Sequence, residues 1–100
     1  MKAIIDGIRF DTDKAIKIGE YDNMGTEVQS TSDFGFWEAG LYKTPRSGRF
    51  FLAGWGNYMT HYRNNQKITP MSPKEALEWA ERYLAVESVE EHFGGMIEDA

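Results

Sequence analysis

The chain contains no cysteine. That excludes a disulfide staple and any thiolate metal site, and it leaves stability to packing. Long hydrophobic runs are missing too. The opening stretch, MKAIIDGIRFD, offers only a short apolar pair before Asp6, which fits neither a signal peptide nor a membrane span. A cytoplasmic location with no membrane attachment is therefore expected. Histidine is scarce. His61 and His92 stand in no His-x-His, His-x-x-x-His or Glu-x-x-His pattern that would set two ligands on one face. Glu90, Glu91 and His92 are contiguous on an expected helix, so their side chains fan apart. No Gly-x-Ser-x-Gly or Gly-Lys-Ser/Thr motif occurs, and GWGN at 54–57 follows a strand without opening a helix, so it fails as a phosphate cradle. No catalytic residue, metal or cofactor is assigned on these grounds, and the expectation is a protein that is not an enzyme.

What is present suffices for one core. The 100 residues are 41% hydrophobic and 14% aromatic, and the aromatics run from Phe10 to Phe93 without a long gap, so a single domain spanning residues 1–100 is expected and disorder is not. The formal charge of −5 hides a strong segregation. Residues 39–74 hold six bases and no acid, while eight acids lie on each side of that segment. Two surface poles of opposite sign follow. The plainest reading is that they satisfy one another across the fold.

The periodicities predict an α+β fold, an antiparallel sheet of about four or five strands against one main C-terminal helix and a shorter terminal one. Asp6-Gly7 marks a tight hairpin joining Lys2 to Ile5 and Ile8 to Phe10. Asp11, Thr12 and Asp13 can cap one helical turn at Lys14 and Ala15. Ile16, Ile18 and Tyr21 then alternate as a strand interrupted by Gly19. Residues 22–34 read as loop. A last short strand is expected around Lys67 to Thr69. Ser72, Pro73 and Glu75 form a capping box that opens a helix with Ala76, Leu77, Ala80, Tyr83 and Leu84 on one side. Ser88 and Glu91 repeat the box in miniature, with Gly94 as the stop.

The central stretch, LYKTPRSGRFFLAG at 41–54, is a hairpin turning at Pro45 with Gly48 resetting the twist. Pairing Lys43 with Arg49 places Leu41 against Phe51, Ala39 against Ala53 and Trp37 against Trp55 on a core face. The opposite face then carries Tyr42, Phe50 and Leu52, more apolar than water tolerates. A helix, a folded-back loop or a partner is expected to cover it, and self-association through it is compatible with the pattern.

IIDGIRFDTDKAIKIGEY, LYKTPRSGRFFLAGWG, MTHY, ITPMSPKEALEWAERYL and VEEHFG, in that order, resemble a widespread set of small, largely uncharacterised bacterial proteins common on phages and other mobile elements. That set has a Leu-Tyr-Arg/Lys-Thr hairpin ending in Phe-Leu and a Glu-Ala-x-x-Trp-Ala-Glu helix. The resemblance covers most of the chain outside residues 22–35, and it implies the fold above with no assigned activity. Members tend to carry Gly-Glu-Gly-Gly where this chain has Gly54, Trp55, Gly56 and Asn57, and Arg where it has His61. The change from acid to Trp55 removes any carboxylate chemistry at that place.

Function is therefore sought in the basic hairpin. Lys43, Arg46, Arg49 and Arg63 can hold phosphate or carboxylate groups, and Tyr42, Phe50, Tyr58 and Tyr62 can offer contact or stacking surface. The expected activity is that of a small non-catalytic binding module with a protein partner, which the resemblance makes an inhibitor or adaptor directed at a host or defence protein. A second reading is direct nucleic-acid binding through residues 43–67, opposed by the net negative charge. A third, a small enzyme, has no motif behind it. The dense C-terminal carboxylates also allow an imitation of nucleic-acid phosphates.

Overall fold

Asp6 and Gly7 take φ of 52° and 77°, the paired left-handed geometry of a two-residue turn whose twist matches its strands. In the computed structural model, which describes residues 1–100, this turn folds β1 (Lys2–Ile5) onto β2 (Ile8–Asp11), with Ile5 opposite Ile8 and Ala3 opposite Phe10. The helical turn expected at Lys14 and Ala15 does not form. Asp11 closes a side-chain turn instead, its Oδ1 accepting from Asp13 N at 3.0 Å while its carbonyl accepts from Lys14 N at 3.2 Å.

Four further strands, β3 (Ile16–Asp22), β4 (Trp37–Lys43), β5 (Phe50–Gly56) and β6 (Gln66–Met71), form an antiparallel meander in chain order. The architecture is α+β, with this sheet and the separate β1–β2 ribbon. The interruption expected at Gly19 is a register shift between Lys17 and Gly19 that turns the extra residue, Ile18, into the core.

The central hairpin differs from the expected register by one residue. Thr44 N donates to Arg49 O at 2.9 Å and Arg49 N donates to Thr44 Oγ1 at 2.9 Å, so Thr44, not Lys43, stands opposite Arg49. Gly48, at φ 65°, closes the loop by donating to Thr44 O at 3.1 Å. The turn thus takes one residue fewer than expected, and the strand pairs become Lys43 with Phe50, Tyr42 with Phe51, Leu41 with Leu52 and Glu38 with Trp55. A slip of one residue exchanges the faces of a whole strand. Both faces remain apolar, but with Phe50 and Phe51 on the sides opposite to those expected.

One face is closed by α1 (Pro73–Tyr83) and α2 (Val86–Phe93). Ser72 and Glu75 make the reciprocal capping box at the start of α1. Ala76 and Ala80 are fully buried, and with Ile18, Leu41, Phe50, Val89 and Phe93 they form the larger core. The second capping box does not form. Ala85 O accepts from Ser88 N and Val89 N, so α2 starts at Val86 and Ser88 lies inside its first turn. The phase is set by Val89 and Phe93 reaching the core. Gly94 ends α2 as expected but in right-handed geometry, leading into a 3-10 turn (Gly94–Met96).

The other face carries Phe51, Ala53 and Ile68, and the ribbon lies across it with Phe10 inserted among them. The expected covers were a helix, a folded-back loop or a partner; the observed one is a second small sheet stacked on the first. Phe51, Ala53 and Ile68 are buried beneath the ribbon. Three layers result. No helix is long and apolar enough to cross a membrane.

Candidate functional site

The β4–β5 turn is tied down by its own side chains. Besides the Thr44 bonds already described, Thr44 Oγ1 and Ser47 Oγ are 2.7 Å apart. A turn held at that many points presents Arg46 and Arg49, both exposed, in a fixed position. The ribbon covering the sheet ends beside this turn. Arg9 of β2 and Lys14 of the following turn meet Arg46, Thr44 and Ser47 around a shallow cavity of about 280 Å³. Asp11 also lines it, buried, with Oδ1 engaged by Asp13 N. Arg49 borders a neighbouring cleft of about 390 Å³ that reaches Ser72 and Pro73 at the start of α1. Lys43 lies over the Phe50 ring, 5.4 Å from its centroid.

None of Arg9, Lys14, Lys43, Arg46 and Arg49 forms an ion pair. The chain's one lysine–carboxylate pair is elsewhere, between Lys17 and Glu20, and His92 Nε2 lies 3.8 Å from Glu91. The Lys17 ammonium has its pKa raised by its bond to Glu20. The two charge poles therefore do not neutralise one another through direct pairs, contrary to the plainest reading of the sequence. The expected repulsion between Lys43 and Arg49 as cross-strand partners also disappears, because they are not opposite each other.

The eight residues singled out in the sequence do not form one surface. Lys43, Arg46 and Arg49 gather at the turn. Tyr42 is half-buried and stacked on Phe51 at 5.4 Å and 16°. Phe50 is 6% exposed and stacked on Phe93 at 5.2 Å, a core residue, which corrects its expected place at the surface. Tyr62 is corrected in the same way. It is 5% exposed, over the backbone space left by Gly54 and Gly56, and burial, helped by Tyr83, pushes its hydroxyl pKa up. Tyr58 and Arg63 are exposed but lie beyond the far end of β5, a strand about 20 Å long. There Asn57 Nδ2 donates to Thr31 O and Asp33 O, stitching two loops together.

Arg9 and Lys14 were not among the candidates. Their signal is weak in one dimension, because both fall in the acid-rich third of the chain, and only the folding of the ribbon over the sheet brings them to the turn. The largest cavity, about 600 Å³, lies on the ribbon side between Glu20, Asp22, Glu38, Tyr42 and Trp55. Trp55 Nε1 donates to Glu38 across the β4–β5 pair. No three His, Cys, Asp or Glu side chains converge as a metal-binding group. Comparison of the chain with family models, with curated proteins and with solved structures finds no match.

Proposed function

We propose that the chain is a non-catalytic binding module that engages an acidic protein surface through the end where the β4–β5 turn meets the ribbon. One observation supports this above the others. Arg9, Lys14 and Arg46, from three places in the chain, line one cavity, Lys43 and Arg49 flank the same turn, and none of the five is within ion-pair distance of a carboxylate. Like charges gathered this way repel, and a fold with no use for them gains by making one acidic. Guanidinium groups on a rigid turn suit carboxylates, which they grip in pairs of parallel hydrogen bonds.

The net charge of −5 favours a protein over a polyanion as partner. At physiological salt a field fades over about 8 Å, so a local acidic patch meets only the cationic end. A nucleic acid, long and charged throughout, also meets the acidic remainder. Sequence resemblance to proteins of mobile elements extends the proposal to an inhibitor or adaptor acting on a host or defence protein. The test is Arg46→Glu with Arg49→Glu, both at exposed sites. Folding by circular dichroism stays unchanged, and a partner captured by the natural chain is lost. A partner that survives the double change refutes this surface. Direct nucleic-acid binding draws on the same cations, and an electrophoretic shift at low salt, abolished by the same double change, is the result that would favour it instead.

A further inference from the structure

Three exposed apolar side chains gather in one place beside the two helices. Val86, Met96 and Ile97 are 67%, 44% and 42% exposed, and all three line a groove of about 430 Å³ between α1, α2 and the C-terminal tail, floored by Leu77, Leu84 and Val89. Single exposed apolar residues are ordinary on any surface; several converging on one concave site mark a place where something binds. Val86 adds to this. It is a β-branched apolar residue in the first turn of a helix, where polar and acidic residues are the favoured choice. The groove also has a charged rim. Glu81, Glu90 and Glu98 stand around it, none with a basic partner.

We propose that this groove docks a short amphipathic segment of a partner, with apolar side chains set between lysines or arginines. The apolar floor selects the anchors, and the carboxylate rim selects the sign of the flanks, since an acidic segment placed there meets like charge on every side. A second copy of this chain is the weaker occupant. It offers Ile16, 48% exposed between Lys14 and Lys17, and Ile4, 66% exposed opposite Arg9, but these stand on separate sheets, a single isoleucine does not fill a groove of this size, and a head-to-tail contact of that kind propagates into rings or open chains. The proposal is independent of the cationic end and stands or falls without it.

The test uses the full isotope-labelled chain and two synthetic helical peptides, one built from leucine and lysine, the other with every lysine replaced by glutamate. The lysine peptide is expected to shift the amide resonances of Leu77, Leu84, Val89 and Ile97, less so as salt rises, and the glutamate peptide to shift none. Val86→Asp then separates docking from mere charge attraction. The new carboxylate strengthens an attachment that is only electrostatic, whereas loss of the apolar contact weakens groove docking by about tenfold. Equal or tighter binding of the lysine peptide to Val86→Asp overturns the proposal. So do shifts centred on Glu75 and Glu78, or no shift with either peptide. Sedimentation of the chain alone covers the remaining occupant: self-association abolished by Val86→Asp would make the groove a contact between copies, and the proposal wrong.

Discussion

Phe50 and Phe51 are neighbours in sequence and belong to different layers, so the same substitution at each is expected to damage different parts of the molecule. Phe51 is fully enclosed, with the Phe10 ring at 5.2 Å and the Tyr42 ring at 5.4 Å. Its replacement by alanine removes about 3–5 kcal/mol from a total that in such domains is about 5–15 kcal/mol. Leucine is the more informative change. It keeps most of the apolar volume and removes two aromatic contacts worth about 0.5–1.5 kcal/mol each, for a loss of about 1–3 kcal/mol. Each kcal/mol lowers the melting temperature of a domain this size by about 4–8 °C. Phe50→Leu removes the stack on Phe93 and the Lys43 ammonium over the ring, at a comparable cost. Native-state hydrogen exchange distinguishes the two. Phe51→Leu raises exchange of the β1 and β2 amides, and Phe50→Leu raises exchange of α2. If the effects are exchanged, Lys43 stands opposite Arg49 after all and the layer assignment is wrong. If each variant loosens both sets equally, the two cores are not separable units.

Two further predictions concern backbone contacts. A Cβ at Gly54 would lie 2.7 Å from Glu38 O and 2.8 Å from Ala39 Cβ, as well as against the Tyr62 hydroxyl. The Glu38 carbonyl belongs to the paired strand and cannot rotate aside, so Gly54→Ala costs about 1–3 kcal/mol, seen as a lower urea midpoint at unchanged slope; an unchanged midpoint would mean β4 and β5 are not held this closely. The second is a pH dependence. Glu75 accepts from Ser72 N at 2.9 Å, and that backbone bond holds its pKa below 4.5. Because the folded pKa lies below the unfolded one, the charged form stabilises the fold above about pH 4.5, and this contribution is lost as pH falls through the folded value. The natural chain is therefore expected to exceed Glu75→Gln in melting temperature near neutral pH, and the difference to vanish in acid. A constant difference across that range contradicts the cap.

The parts of the fold written in local chemistry were readable from the sequence. The Asp6-Gly7 turn, the Ser72 box and the Gly48 turn each follow from residues within a few positions of one another, and all three are in place. What could not be read locally was the phase of longer-range packing. The hairpin register depends on the number of loop residues, and that number goes with the two bonds between Thr44 and Arg49, Thr44 N to Arg49 O and Arg49 N to Thr44 Oγ1. Ser88 and Glu91 have the spacing of a cap, yet Val89 and Phe93 reach the core only if the helix has already begun. Of the candidate surface, the three cations at the turn were legible because they crowd a short acid-free stretch. Phe50 and Tyr62 were misplaced because an aromatic residue beside a charge reads the same in sequence whether it faces solvent or the core.

The ribbon links stability to the proposed function. Its inner residues, Phe10 above all, close the second apolar face, while Arg9, the neighbour of Phe10, points away and joins Arg46 at the turn. Alternation along one strand therefore performs both tasks, since successive side chains leave a strand on opposite sides. Loosening the ribbon would then uncover apolar surface and disperse the cations in a single event. Substituting Arg9 alone would do the second without the first, because its side chain takes no part in the core. The consequence is that loss of partner binding without loss of stability is expected from changes at Arg9, Lys14, Arg46 and Arg49, whereas changes at Phe10 or Phe51 couple the two.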